Sequence, residues 1–372
     1  MADQSTPLPL TRESVQAAHK LIEPYIHKTP VLTNTTLNQL ASTPRTEAEL
    51  AGTEWAGHAP AKPVLRFWFK CENFQKIGAF KARGAFHAIE RLKQEPGWAD
   101  GGGRERGVVT HSSGNHAQAL SLAAHTSRIP AHIIMPTSSS PAKIAATRTY
   151  GAQIHFSGPT APEREAVTAT IQSQTGAVLI PPYDHPHIIL GQGTAALELL
   201  SQVPRETHLN AIITPCGGGG LLSGTALACS GGENTDTFVF GAEPSLDAAD
   251  DCRRGLATGS RVKTVPATRT IADGLRTPVG KIPWSIIHDR ALVRAVYAVG
   301  EADIKRAMRL VWERMKIVVE PSAVVGLAAA LYNEEFRALV EREGGEAGWD
   351  LGVVFSGGNV SLEMMGALFA EA

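Results

Sequence analysis

The segment from Lys76 to Phe86, KIGAFKARGAF, sets one lysine, Lys81, behind a phenylalanine and among small residues. If a helix starts near Ala79, Lys81 shares a face with Gly84, Ala85, Ala88 and Leu92, the spacing of helical neighbours. That face is small and apolar. An amine placed on it points inward, where burial favours the neutral, nucleophilic form. Three more glycine-bearing turns follow apolar β-branched runs. THSSGNHAQAL, Thr110 to Leu120, gathers Ser112, Ser113, Asn115 and His116 at the opening of a helix, where side chains and backbone N–H groups suit a carboxylate. TPCGGGGLLSG, Thr214 to Gly224, sets Gly217, Gly218, Gly219 and Gly220 between a strand and an Ala/Leu helix, so the backbone can approach an anion closely. FSGGNVSLEMM, Phe355 to Met365, repeats the order strand, turn, helix.

The glycine run contains no G-x-G-x-x-G, because Leu222 and Ser223 fall where the third glycine is needed, and no G-K-[ST] follows it. A dinucleotide fingerprint and a P-loop are both excluded. A phosphate cup and an inward lysine remain, and a phosphorylated aldehyde uses both. Pyridoxal phosphate is the cofactor this pair points to.

The elements that must hold these turns alternate. RFWFK, GVVTH, AHIIMP, AQIHF, AVLIP, AIITP, TFVFGAE and LGVVFSGG read as strands between Ala/Leu-rich segments of helical period, the α/β pattern of parallel sheets. Their number and the length predict two α/β lobes, with ligands at the carboxyl ends of strands. Ala41 to Pro63 and Gln94 to Gly107 read as polar surface loops.

The 372 residues, 43% hydrophobic and 19% charged, suffice for one large core or two lobes. A net charge of −1 creates no field to gather nucleic acid or anionic membrane, so the expected partner is a small molecule. Cys71, Cys216, Cys229 and Cys252 show no C-x-x-C spacing, which argues against a zinc site and a disulfide framework. The N-terminal MADQSTPLPLTRE lacks the blocks of a signal peptide, and AVVGLAAALY is too short to cross a bilayer. A cytoplasmic location is the expectation.

Taken together, the four motifs resemble the serine racemase and serine/threonine dehydratase group of fold-type II pyridoxal-phosphate enzymes, specifically its eukaryotic serine racemase-like branch. The resemblance runs from AHKLIEPYIHKTPVL at Ala18 to the final FSGGNV. It implies two parallel-sheet α/β lobes with the active site between them, a large cofactor-binding domain of residues 1–95 and 185–372 and a small substrate-closing domain of residues 96–184. It also implies that Lys81 is the Schiff-base lysine with Phe80 beside it, and that Gly217 to Gly220 with Leu221 hold the phosphate. Asn115 would bond the phenolic oxygen, Ser356 would face the pyridine nitrogen, and Glu320 would belong to the cofactor shell. Ser112, Ser113, Asn115 and His116 would take the substrate carboxylate. Where the family's dehydratases commonly have alanine, this chain has Ser113, as serine racemases do; it would serve as the acid/base on the cofactor face opposite Lys81. Racemisation and β-elimination of small β-hydroxy amino acids would then share one carbanion.

The same serine occurs in threo-3-hydroxyaspartate dehydratases of this family, which supply the alternative reading. Arg164 or Arg276 would clamp a second substrate carboxylate in that case. A β-replacement synthase and a non-catalytic phosphate-binding module are weaker rivals. GAEPSLDAADDC, Gly241 to Cys252, resembles the family's divalent-cation site, with Glu243, Ala249 and Asp251 as ligands for Mg²⁺ or Ca²⁺. Two extra residues in this segment leave Asp247 and Asp250 as alternatives to Asp251. A homodimer is implied by the same resemblance.

Overall fold

The apolar β-branched runs form ten strands in two sheets among the residues described by this computed structural model, 9–112, 114–139, 141–231 and 236–370. The first sheet has the spatial order β1 (Val31–Leu32), β2 (Leu65–Cys71), β10 (Trp349–Phe355), β7 (Ala211–Pro215), β8 (Phe238–Pro244), β9 (Ala295–Val299). The second has the order β5 (Gln153–Ser157), β4 (Ala131–Pro136), β3 (Val108–His111), β6 (Val178–Leu179). Every pairing is parallel except that of β1 with β2. This is the expected α/β architecture of two parallel-sheet lobes. Each of the eight strand candidates is found. The two strands not anticipated are β1, only two residues long, and β9, whose AVYAV sits in a run that reads equally well as a helix.

Strands buried on both faces read as continuous apolar runs. β10 and β7 are such strands, and Phe69 of β2 stacks on Phe355 of β10 with ring centroids 4.8 Å apart. Each large apolar side chain sequestered this way contributes about 1.5–3 kcal/mol. The two insertions are less superficial than their polarity suggests. Leu50, at the end of the short helix Glu47–Leu50, and Trp98 are buried, so each insertion is anchored by an apolar side chain.

Helix–helix contact through glycine sets the site's frame. The Lys81 helix (Lys81–Lys93) packs on the helix Pro186–Gln202 where Gly84 faces Gly191; a Cβ on Gly191 would lie 2.6 Å from the Gly84 Cα. Only residues without a side chain allow that approach. The long helix also packs on Gly220–Cys229, the helix that opens from the glycine run.

Candidate active site

Lys81 is the first residue of its helix rather than its third, so the small face falls where expected while the amine sits at the helix mouth. Gly84, Ala85, Ala88 and Leu92 are all buried beneath it. The Lys81 Nζ donates to the Pro182 carbonyl at 2.6 Å and lies 5.1 Å from the Phe80 ring centroid. No carboxylate is among these partners. Burial pushes the amine down to about 8, because transfer out of water penalises the ammonium form.

The preceding backbone is bound to the last motif. Phe80 N donates to Ser356 O at 3.0 Å, Gly358 N donates to Gly78 O at 2.9 Å, and Ala79 bridges Gly357. Ile77, a β-branched residue, is held at φ 59, a costly conformation that its surroundings must impose. Asn359 secures it by donating to Ile77 O at 2.8 Å. Ser356 is buried at the end of β10, immediately beside the Lys81 segment.

The same Asn359 amide also donates to Asn115 Oδ1 at 2.8 Å, and Asn115 Nδ2 donates in turn to Glu320 Oε1 at 2.8 Å. Glu320 also accepts from the Asn359 backbone N–H, and the charge of Lys143 bears on it. Burial first, and then the charge of Asp273, pushes its carboxyl up to about 8. Asp273 itself pairs with Lys143 at 2.5 Å.

His116 is buried, and its Nε2 lies 3.1 Å from the Ile180 carbonyl, so that nitrogen carries the proton and donates. Burial, then the charge of Lys81, pushes the imidazole down to about 3. The ring is therefore a neutral group oriented by Ile180, and what it offers an anion is its backbone N–H in the first turn of Asn115–Ser127. Ser112 accepts from Gly114 N through its Oγ at 3.3 Å, shaping the turn ahead of that helix. Ser113, singled out by the sequence, lies outside the described residues.

The glycine run joins the end of β7 to a ten-residue helix, with Gly219 at φ 85 as its cap. A Cβ at Gly218 would come within 2.2 Å of the Tyr183 ring, and one at Gly219 would meet Pro283 at 2.8 Å. Bare backbone at a helix N-terminus, on a strand's carboxyl end, suits a phosphate. Leu221 is buried in the helix's first turn. Pro182 and Tyr183, which contact both the amine and the cup, were not singled out from the sequence; the signal was PPYD just after a strand.

Behind the cup, Glu243 lies on β8 and accepts from Cys252 N at 3.1 Å and Arg253 N at 3.0 Å. Asp251 accepts from Val279 N at 2.9 Å. Burial, followed by the charges of Cys252 and Asp251, raises the Glu243 carboxyl, and burial pushes Asp251 up to about 6. The alternatives are spent elsewhere: Asp250 pairs with Arg253 and Arg254, and Asp247 pairs with Arg269. Ala249 is buried between them, after a turn in which Asp247 and Ala248 have φ 53 and 61. Arg164 donates to Pro159 O at 2.6 Å, with its charge bearing on His111, and Arg276 donates twice to Thr270 O.

Two parallel α/β lobes that bring an inward lysine onto a helix-opening glycine cup define an enzyme built around a phosphorylated aldehyde. Residues 55–348 match the family described as pyridoxal-phosphate dependent enzyme, and the chain belongs to that family. It is 43% identical over 354 residues to the serine racemase of Dictyostelium discoideum, covering 95% of this chain and 96% of that protein. It is 38% identical to the beta-hydroxyaspartate dehydratase of Paracoccus denitrificans (strain Pd 1222), covering 95% of this chain and 98% of that one. The structure of maize serine racemase superposes with a TM-score of 0.81 at 38% identity, covering 97% of each chain.

Proposed function

We propose that this enzyme interconverts L- and D-serine and also eliminates water and ammonia from small β-hydroxy amino acids. The observation that carries the proposal is the buried Lys81 amine, pushed down to about 8 and held by a carbonyl beside the glycine cup. Near pH 7.5 about one such amine in four is neutral, against about one in a thousand for a lysine at its ordinary 10.5. The relatives named serine racemase support the substrate.

In this reading Gly217, Gly218, Gly219, Gly220 and Leu221 would hold the phosphate, Phe80 would pack beside the cofactor, Ser356 would serve its pyridine nitrogen, and Asn115, oriented by Glu320, its phenolic oxygen. Pyridoxal phosphate, when bound, supplies the electron sink that stabilises negative charge at the substrate α-carbon. Lys81 takes and returns the α-proton on one face, and Ser113 does so on the other. Ser112, Asn115 and the His116 N–H seat the substrate carboxylate, with Arg164 as a further substrate-binding residue. Glu243, the Ala249 carbonyl and Asp251 bind Mg²⁺ or Ca²⁺; two buried carboxylates without a cationic side chain in hydrogen-bond contact suit a hard cation. The two sheets support lobes of residues 1–95 with 185–372, and of residues 96–184. The protein works as a cytoplasmic homodimer.

Chiral chromatography alongside a keto-acid assay tests the function. Ser113→Ala is expected to lose serine interconversion by about 10²–10⁴-fold, while pyruvate formation from L-serine falls much less. Equal losses would remove Ser113 as the second acid/base. A second reading, dehydration of threo-3-hydroxyaspartate, is favoured by the Paracoccus relative. Wild-type enzyme that makes no D-serine but rapidly deaminates L-threo-3-hydroxyaspartate would establish it. Chelation is expected to lower the melting temperature, with recovery on adding Mg²⁺ or Ca²⁺, and Glu243→Gln is expected to abolish that response.

A further inference from the structure

Cysteine spacing along the chain argues against a thiol-ligated metal, yet the fold gathers two thiols that sequence keeps 36 residues apart (252 − 216). Cys216 follows the end of β7, Glu243 is on the adjacent β8, and Cys252 is in the first turn of Asp251–Thr258. The parallel pairing of β7 with β8 brings Thr214 opposite Gly241, and Cys216 N donates to Ala242 O at 2.8 Å. As a result the Cys216 Sγ, the Cys252 Sγ and a Glu243 carboxylate oxygen all lie within 4.8 Å of one another, and all three side chains are buried. Both cysteines are free thiols.

We propose that Cys216, Cys252 and Glu243 form a binding site for a thiophilic divalent cation, of which Zn²⁺ is the model. Tetrahedral zinc holds sulfur at about 2.3 Å and carboxylate oxygen at about 2.0–2.2 Å, which sets ligand atoms roughly 3.5–3.8 Å apart. The three atoms already lie within an ångström or so of that spacing. The Glu243 oxygens accept from the backbone N–H groups of Cys252 and Arg253, which orient the carboxyl beside the two sulfurs as a third ligand. Metal entry breaks two S–H bonds and the Glu243 carboxyl O–H bond, passes the three protons to solvent and forms two metal–sulfur bonds and one metal–oxygen bond, with water as the fourth ligand. No oxidant or reductant is involved.

The inference rests in part on the cation reading of Glu243, because this carboxylate serves both donor sets. Mg²⁺ or Ca²⁺ uses it with the Ala249 carbonyl and Asp251; a thiophilic ion turns it toward the two sulfurs. The two kinds of cation therefore exclude one another directly behind the phosphate cup, one residue from Gly217.

The test uses metal-stripped holoenzyme kept reduced. X-ray absorption of the Zn²⁺-loaded wild type is expected to show two sulfur neighbours at about 2.3 Å, and Cd²⁺ titration is expected to give an ultraviolet sulfur-to-metal charge-transfer band. Replacing both cysteines by serine is expected to weaken Zn²⁺ binding at least about 100-fold, the upper end of losses from merely supporting groups, while the melting-temperature response to Mg²⁺ is retained. An oxygen- and nitrogen-only shell in the wild type, a measurement needing no variant, overturns the proposal. So does unchanged Zn²⁺ affinity in the double variant. Glu243→Gln separates the two readings: loss of Zn²⁺ binding with an intact Mg²⁺ response sinks the oxygen-ligand site and leaves the thiol site standing.

Discussion

Lys81 and Arg83 are two residues apart on one helix and both point into the protein, but their surroundings treat charge in opposite ways. Arg83 gives Nε and Nη2 to Glu72 at 2.7 and 2.8 Å, and Nη1 and Nη2 to Glu198 at 2.8 Å each. Lys70 adds a bond to Glu198 at 2.7 Å and another to Thr29 O at 2.9 Å. Burial alone would push Glu198 up, yet hydrogen bonds from His19 and Arg83, with the charges of Arg83 and Lys70, hold it well below the usual carboxylate range. Lys81 donates to one carbonyl, and Glu320 accepts from the Asn115 side-chain amide and the Asn359 backbone N–H. One region fixes its charges by pairing them; the other leaves an acid and a base near neutrality. Paired charges hold the helix in place, and weakly paired ones remain free to exchange protons.

The largest effect falls on the weakly paired side. Lys81→Ala is expected to remove the borohydride-reducible link to the cofactor and to lower turnover by about 10⁴-fold or more, since under the proposed function it deletes both the covalent anchor and a proton-transfer group. Peptide mapping after reduction checks it; a phosphopyridoxyl group found on another lysine of the variant would reassign the role. The small-residue face made the inward direction of this lysine legible from sequence alone. Arg83 was not, because nothing local marks an arginine whose partners sit at Glu72 and Glu198. The same holds for Asn359, whose two partners come from other segments of the chain, and for Cys216 and Cys252, which only the β7–β8 register unites. Local period and turn chemistry gave the strands and the glycine cup. Pairings across the chain depend on tertiary packing.

On the paired side, Arg83→Met is expected to destabilise the protein by about 3–5 kcal/mol without altering the chemistry assigned to Lys81. The cost comes from leaving Glu72 and Glu198 buried with too little positive charge, not from losing the arginine's own bonds. Adding Glu72→Leu to Arg83→Met should recover part of the loss, because an apolar pair of similar volume avoids the stranded charge. Thermal melts of the two variants measure this. If both melt with the wild type, the network contributes nothing to holding the helix, and the contrast with Lys81 loses its meaning.

The smallest expected effect sharpens the contrast at Glu320. Its folded carboxyl is pushed up to about 8 from an ordinary 4.5, so between those values the folded protein keeps a proton that the unfolded chain has released. Stability then falls as pH rises through this window, because the unfolded state binds fewer protons than the native one. Glu198 behaves in the reverse sense, since its lowered carboxyl stabilises the protein until pH drops through the acid range. Glu320→Gln keeps an oxygen for Asn115 and removes the titrating proton. It is expected to match the wild type near the lower edge of the window and to be more stable near the upper edge by on the order of 1–3 kcal/mol, after relaxation and water entry reduce the full linkage value. Melting temperatures of the two proteins, each in the same cofactor state, measure the difference across the window. Parallel pH profiles would mean that Glu320 ionises in the folded protein as readily as in the unfolded chain, and that the site pairs its charge as fully as the Arg83 network does.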